Sequence, residues 1–101
     1  MIKNFRTLDR AVEFYRLSKT LCLAKHLRDQ LSRAASSVVL NLAEGSGKSS
    51  MAEKRRYYEI AMGSLRECEA VLILADKEQS ELAMKLDCVA AHLYKLIQST
   101  G

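Results

Sequence analysis

Gln30-Leu31-Ser32-Arg33-Ala34-Ala35-Ser36-Ser37-Val38-Val39-Leu40-Asn41-Leu42-Ala43-Glu44-Gly45-Ser46-Gly47 is the stretch that decides the fold. Leu31, Ala34, Ala35, Val38 and Leu42 recur at spacings of three and four, which gathers them on one face of a helix. Leu27 extends the stripe backwards, and the pattern predicts a helix over residues 24–44. Gly45-Ser46-Gly47 is then the clearest break in the chain, with two glycines expected just past the helix end.

The same period runs on both sides of this segment. A first helix is predicted over residues 4–22, with Phe5, Leu8, Val12, Tyr15 and Cys22 on one face and Phe14, Leu17 and Leu21 widening it. No proline or glycine separates it from the second helix, so the periodicity leaves their boundary open. Ser50-Met51-Ala52-Glu53 is a capping box, in which the serine accepts a backbone N–H and the glutamate returns the bond. It opens a third helix to residue 77, striped by Tyr58, Ala61, Leu65, Cys68, Leu72 and Ala75. Ser80 can cap a fourth, to residue 98, with Leu82, Leu86, Val89, Leu93 and Leu96 facing inward. Helices of about 20 residues span about 30 Å. Four of them with short connections predict an all-α fold, an antiparallel up-down-up-down four-helix bundle forming one domain over residues 1–101.

Composition agrees. With no proline and four glycines in 101 residues, the chain lacks the punctuation an all-β fold needs. It is short for a doubly wound sheet or a barrel. Cys22, Cys68 and Cys88 are widely spaced, without a Cys-x-x-Cys pair, which argues against zinc and thioredoxin chemistry. Free thiols suit a reducing compartment. The amino terminus is charged at once and lacks an apolar signal core. The longest apolar run, residues 70–75, is far short of a membrane span. The expectation is a cytoplasmic protein with no membrane partner.

Charge is uneven. Residues 1–66 carry 13 Lys and Arg against 6 Asp and Glu, whereas residues 67–101 carry 3 against 6. Lys48, Lys54, Arg55 and Arg56 crowd the turn and the start of the third helix, and Tyr57 and Tyr58 follow directly. Arginine beside aromatic rings suits phosphate contact and base stacking, which makes these four the candidate nucleic-acid-binding residues. Local pairing with Glu59 is the competing reading, and Tyr58 also continues the core stripe. A polar stripe on the second helix, Arg33, Ser37, Asn41 and Glu44, shares one edge. Asn41 is unfavourable mid-helix and Glu44 opposes the dipole near a helix end. Both choices call for partners, either Ser64 and Glu67 of the third helix or a neighbouring subunit. Leu40, Met62, Ile73 and Leu74 fall off the core faces and point to a subunit interface.

Nothing catalytic assembles, so no enzyme, no metal site and no cofactor is expected. His26 and His92 are isolated. Glu44-Gly45-Ser46-Gly47-Lys48-Ser49 imitates a phosphate loop, and the run ending at Asp76 imitates a magnesium-binding strand. The phosphate loop needs a glycine where this chain has Leu42, which argues against a nucleotide hydrolase.

The segment from Gln30 to Gly47, together with Ile60-Ala61-Met62-Gly63-Ser64-Leu65-Arg66-Glu67-Cys68-Glu69-Ala70, resembles the signature of the four-helix-bundle proteins encoded in intervening sequences of bacterial 23S ribosomal RNA genes. Arg33, Asn41, Glu44, Gly45, Ser64 and Glu67 match its motif positions. The proline usual between the first two helices is missing here. The resemblance implies a soluble bacterial bundle assembling as a homopentamer. It also implies kinship with the accessory proteins of diversity-generating retroelements, which bind nucleic acid and a reverse transcriptase. It offers no catalytic residue. The expected function is therefore a non-enzymatic oligomer that binds RNA or DNA through a basic surface. The alternative is a protein-interaction adaptor, for example a partner of a reverse transcriptase.

Overall fold

The computed structural model describes residues 5–101 and contains four helices, α1 (Arg6–Ser18), α2 (Lys25–Ser46), α3 (Met51–Leu74) and α4 (Glu81–Gln98). Asn4, where the periodicity starts the first helix, lies outside the described residues. Each helix packs on two neighbours, α1 and α3 both lying against α2 and α4, and the α2–α3 seam is the most extensive. The result is the expected antiparallel four-helix bundle, 40 × 23 × 21 Å.

The core takes one stripe from each helix. Leu31, Ala34, Ala35, Val38 and Leu42 of α2 are buried, as are Tyr58, Ala61, Leu65, Cys68 and Leu72 of α3 and Leu82, Leu86, Val89 and Leu93 of α4. These are the faces that the periodicity picks out. In α1 the buried set is Thr7, Ala11, Phe14 and Ser18, one position round from the expected face. The large residues Phe5, Leu8, Tyr15 and Leu17 flank it and pack partly against the core. Side-chain size is a poor guide here, because the centre of the face is small and partly polar. Burial raises the Cys68 thiol to about 12, since a thiolate would be stranded in an apolar site.

Three helix ends differ from expectation. α1 stops at Ser18 rather than Cys22, and Cys22 is exposed. Ser18 Oγ donates to Tyr15 O at 2.6 Å and Thr20 Oγ1 to Leu17 O at 2.7 Å. These hydroxyls satisfy carbonyls that the next helical turn would otherwise take. α2 continues through Gly45 and Ser46, and only Gly47 caps it, at φ −88°. Gly45 is there for close approach. A Cβ on it would lie 2.7 Å from Tyr58 Cε1 and 3.1 Å from Tyr57 Cβ. α3 ends at Leu74, three residues early, in a Schellman motif. Lys77 N–H donates to Leu72 O at 2.8 Å and Asp76 N–H to Ile73 O at 3.1 Å. Asp76 takes the left-handed position, φ 57°.

Ser50 and Ser80 cap as expected, accepting from Glu53 N–H at 3.1 Å and Ala83 N–H at 3.3 Å. The Glu53 carboxylate accepts from the Ser50 hydroxyl instead of from its backbone N–H. Among the residues placed off the core faces, Met62 packs partly against the core. Leu40, Ile73 and Leu74 are exposed, at 66, 53 and 71 %. Among the described residues no helix is long and apolar enough to cross a membrane.

Candidate nucleic-acid interface

The basic cluster sits where α2 hands over to α3, across residues 47–50. Lys48 Nζ pairs with Glu44 at 3.2 Å and stands 5.2 Å over the Tyr57 ring. The Glu44 hydrogen bond, then the Tyr57 and Glu44 charges, hold its ammonium above the usual lysine value. Lys54 turns back onto α2, where Nζ donates to Ser46 O at 3.1 Å and reaches Gly45 O at 3.5 Å. That places a cation on the negative end of the α2 dipole. Arg55 Nε lies 3.4 Å from Glu59 Oε2. Arg56 is exposed and has no ion pair among the described residues. The structure therefore brings the four cations to one end, and three of them are engaged locally. Each surface pair is weak and leaves donors free, so engagement does not neutralise the patch.

Leu42, where a phosphate loop requires glycine, is buried in the core, and the chain remains helical through Ser46. Asp76 belongs to a helix end, not to a strand.

The polar stripe divides. Ser37 Oγ and Ser64 Oγ are 2.8 Å apart across the α2–α3 seam. Asn41 Nδ2 donates to Ser37 O at 2.9 Å and to Ser37 Oγ at 3.1 Å. The Ser37 hydroxyl accepts from Asn41 and shares a second hydrogen bond with Ser64, in which either oxygen can donate. This gives a half-buried chain from amide to hydroxyl to hydroxyl. Glu67 meets Gln30 Nε2 at 2.5 Å instead of the stripe. Arg33 is exposed, without an ion pair among the described residues, and Glu44 serves Lys48. So the α2–α3 seam contains the Ser37, Asn41 and Ser64 chain and, nearer the other end, the Gln30–Glu67 bond, while Arg33 and Glu44 make no bond across it.

Sequence reasoning misses a groove between the start of α1 and the end of α4, lined by Arg6, Thr7, His92, Lys95 and Ser99, with Ala91 and Leu96. Arg6 and Lys95 stand almost a whole chain apart, and only the α1–α4 pairing brings them together. The cue available in the sequence is the spacing of His92, Lys95 and Ser99 along one edge of the fourth helix.

Four antiparallel helices around one core, with a hydroxyl seam between α2 and α3 and cations gathered at one end, define a small four-helix-bundle protein. The family model described as 23S rRNA-intervening sequence protein matches residues 6–98, and the chain belongs to that family. No curated protein matches it.

Proposed function

We propose that this protein is a non-enzymatic, self-associating bundle of the cytoplasm whose basic end binds single-stranded RNA or DNA through its phosphates. The observation that carries the reading is the gathering of Lys48, Arg55 and Arg56 around one chain reversal, with Arg56 free of ion pairs among the described residues and Tyr57 held beside Lys48. Lysine and arginine fix phosphates, and an adjacent ring offers a stacking surface that tolerates any base. The free thiols support the cytoplasmic placement.

Self-association is supported by the outer surface of α2 and α3. Ile60, Gly63, Ala70 and Leu74 are exposed at spacings that place them along one side of α3, and Leu40 is exposed on α2. A run of this kind on a small domain suits a subunit contact. The five-membered ring, and the kinship with retroelement accessory proteins, rest on the family resemblance. A ring would repeat the basic turn on every subunit and raise avidity without new contacts. The same apolar surface favours the second reading, an adaptor that docks a protein partner such as a reverse transcriptase.

Two measurements test this. Light scattering on a size-exclusion column should give a mass several times 11.4 kDa, and a monomer at every concentration overturns the self-association. Fluorescence polarisation of a labelled single strand should show binding at roughly 50 mM salt that weakens steeply by roughly 200 mM. Arg55→Glu with Arg56→Glu should abolish it and leave the assembly intact. Binding indifferent to that reversal moves the protein to the adaptor reading.

A further inference from the structure

The groove between α1 and α4 differs from the basic turn in one respect. Among the described residues, Arg6 and Lys95 make no ion pair, neither they nor His92 make a side-chain hydrogen bond, and no carboxylate lines the groove. Two hydroxyls lie between them. Ser99 Oγ spends its proton on Leu96 O, so its lone pairs suit a sugar hydroxyl and not a phosphate oxygen. Thr7 is only 6 % exposed and lies on the groove wall. α1 begins there at Arg6, behind an N-cap residue, Phe5, whose side chain makes no capping bond. A groove of about 470 Å³ has room for a phosphate together with its sugar.

The groove and the basic turn share one end of the bundle. The Phe5 and Tyr58 rings meet at a tilt, 6.4 Å between centres. A Cβ on Gly101 would lie 2.9 Å from Arg55 Nη1, so the chain beyond α4 abuts the first turn of α3.

We propose that the α1–α4 groove is a second phosphate-binding site, and that a nucleic-acid strand crosses the end of the bundle from the basic turn into it. The proposal rests on the nucleic-acid reading of the basic turn and adds Arg6, Thr7, His92 and Lys95 to it. Arg6 offers a planar fork to two phosphate oxygens, and Lys95 a point charge. His92 and Thr7 complete the wall between them.

The test separates the two readings. Inorganic phosphate is titrated into isotope-labelled protein and the amide resonances of Thr7, His92, Lys95 and Ser99 are followed. They should shift together in the wild type and stay fixed in Arg6→Ala with Lys95→Ala, both surface changes. The same double variant should bind a labelled oligothymidylate several-fold more weakly. Its salt dependence should flatten by about 0.7 in log–log slope for each phosphate that the variant no longer neutralises. Fixed groove amides, with an unchanged affinity and slope in the double variant, overturn the groove and leave the basic turn standing. Shifted groove amides with no oligothymidylate binding by the wild type overturn the strand path, and the nucleic-acid reading with it.

Discussion

Two chain reversals flank α3. Before it, residues 47–50 turn α2 into α3. After it, residues 75–80 turn α3 into α4. The first has glycine on both sides of its helix end, yet no residue there takes a positive φ. The second has no glycine, yet its helix ends on a left-handed residue, Asp76 at φ 57°. The first turn uses glycine for lack of bulk, so that α2 can lie on Tyr58. The second uses aspartate for backbone conformation, which short polar side chains tolerate better than others. Charge divides in the same way. Lys48, Lys54, Arg55 and Arg56 surround the first reversal, and Glu69, Glu78 and Asp87 line a groove beside the second. Glycine in a sequence thus marks either a tight approach or an unusual φ, and of these two reversals only the first uses it, for the approach.

The contrast can be broken most forcefully at Gly45. Gly45→Val should lower stability by about 1–3 kcal/mol, because Tyr58 is buried and cannot move away from the new side chain. Thermal unfolding followed by circular dichroism reads the loss. An unchanged melting temperature would mean that the Tyr58 ring yields to the new side chain and the close approach does not constrain this position. The two serine caps should behave alike, since each accepts one backbone N–H. Ser50→Ala and Ser80→Ala should each lose about 1 kcal/mol, and a markedly smaller loss at Ser50 would show that Glu53 stabilises that end without the hydroxyl. Asp76→Gly should act in the other direction, raising stability by about 0.5 kcal/mol once left-handed strain is relieved and the added freedom of the unfolded chain is subtracted. Destabilisation by this change would mean that the Asp76 carboxylate matters beyond its backbone.

The smallest effect lies away from both reversals. Glu13 Oε1 and Lys85 Nζ meet at 2.9 Å across the α1–α4 seam. The Lys85 hydrogen bond and charge hold the Glu13 carboxyl below the usual carboxylate range, and the pair raises Lys85 in turn. The stabilisation from Glu13 is present above its unfolded value and fades as pH falls through the lowered one. That from Lys85 is present below the unfolded lysine value and fades as pH rises through the raised one. Melting curves of wild type and Lys85→Met should therefore differ most near neutrality and converge at both extremes. A difference constant with pH would assign it to packing of the lysine stem instead.

Much of this architecture is legible in the residue pattern. α3 and α4 read correctly along most of their length because their stripes run unbroken behind serine caps that have a fixed relation to the first turn. The end of α1 does not, because Ser18 and Thr20 stop it by bonding backward to carbonyls, with no proline or glycine to announce it. Its core face is hard to place because Ala11 and Thr7 carry no strong apolar signal, and burial there follows from where α2 and α4 lie. The basic turn is local in sequence and is visible as a cluster. Its internal pairing, Lys54 on the α2 carbonyls above all, depends on the angle at which the helices meet. The α1–α4 groove is invisible for a related reason, since its walls come from opposite ends of the chain.

The tight approach of Gly45 to Tyr58 also gives the basic end its own spectroscopic label. The α-proton in the position a Cβ would occupy points at the edge of an aromatic ring whose other neighbour is Phe5. Ring currents should displace that proton resonance from the ordinary glycine position for as long as α1, α2 and α3 meet there. Loosening of this one end then becomes visible in a single signal, while the circular dichroism of the four helices stays unchanged.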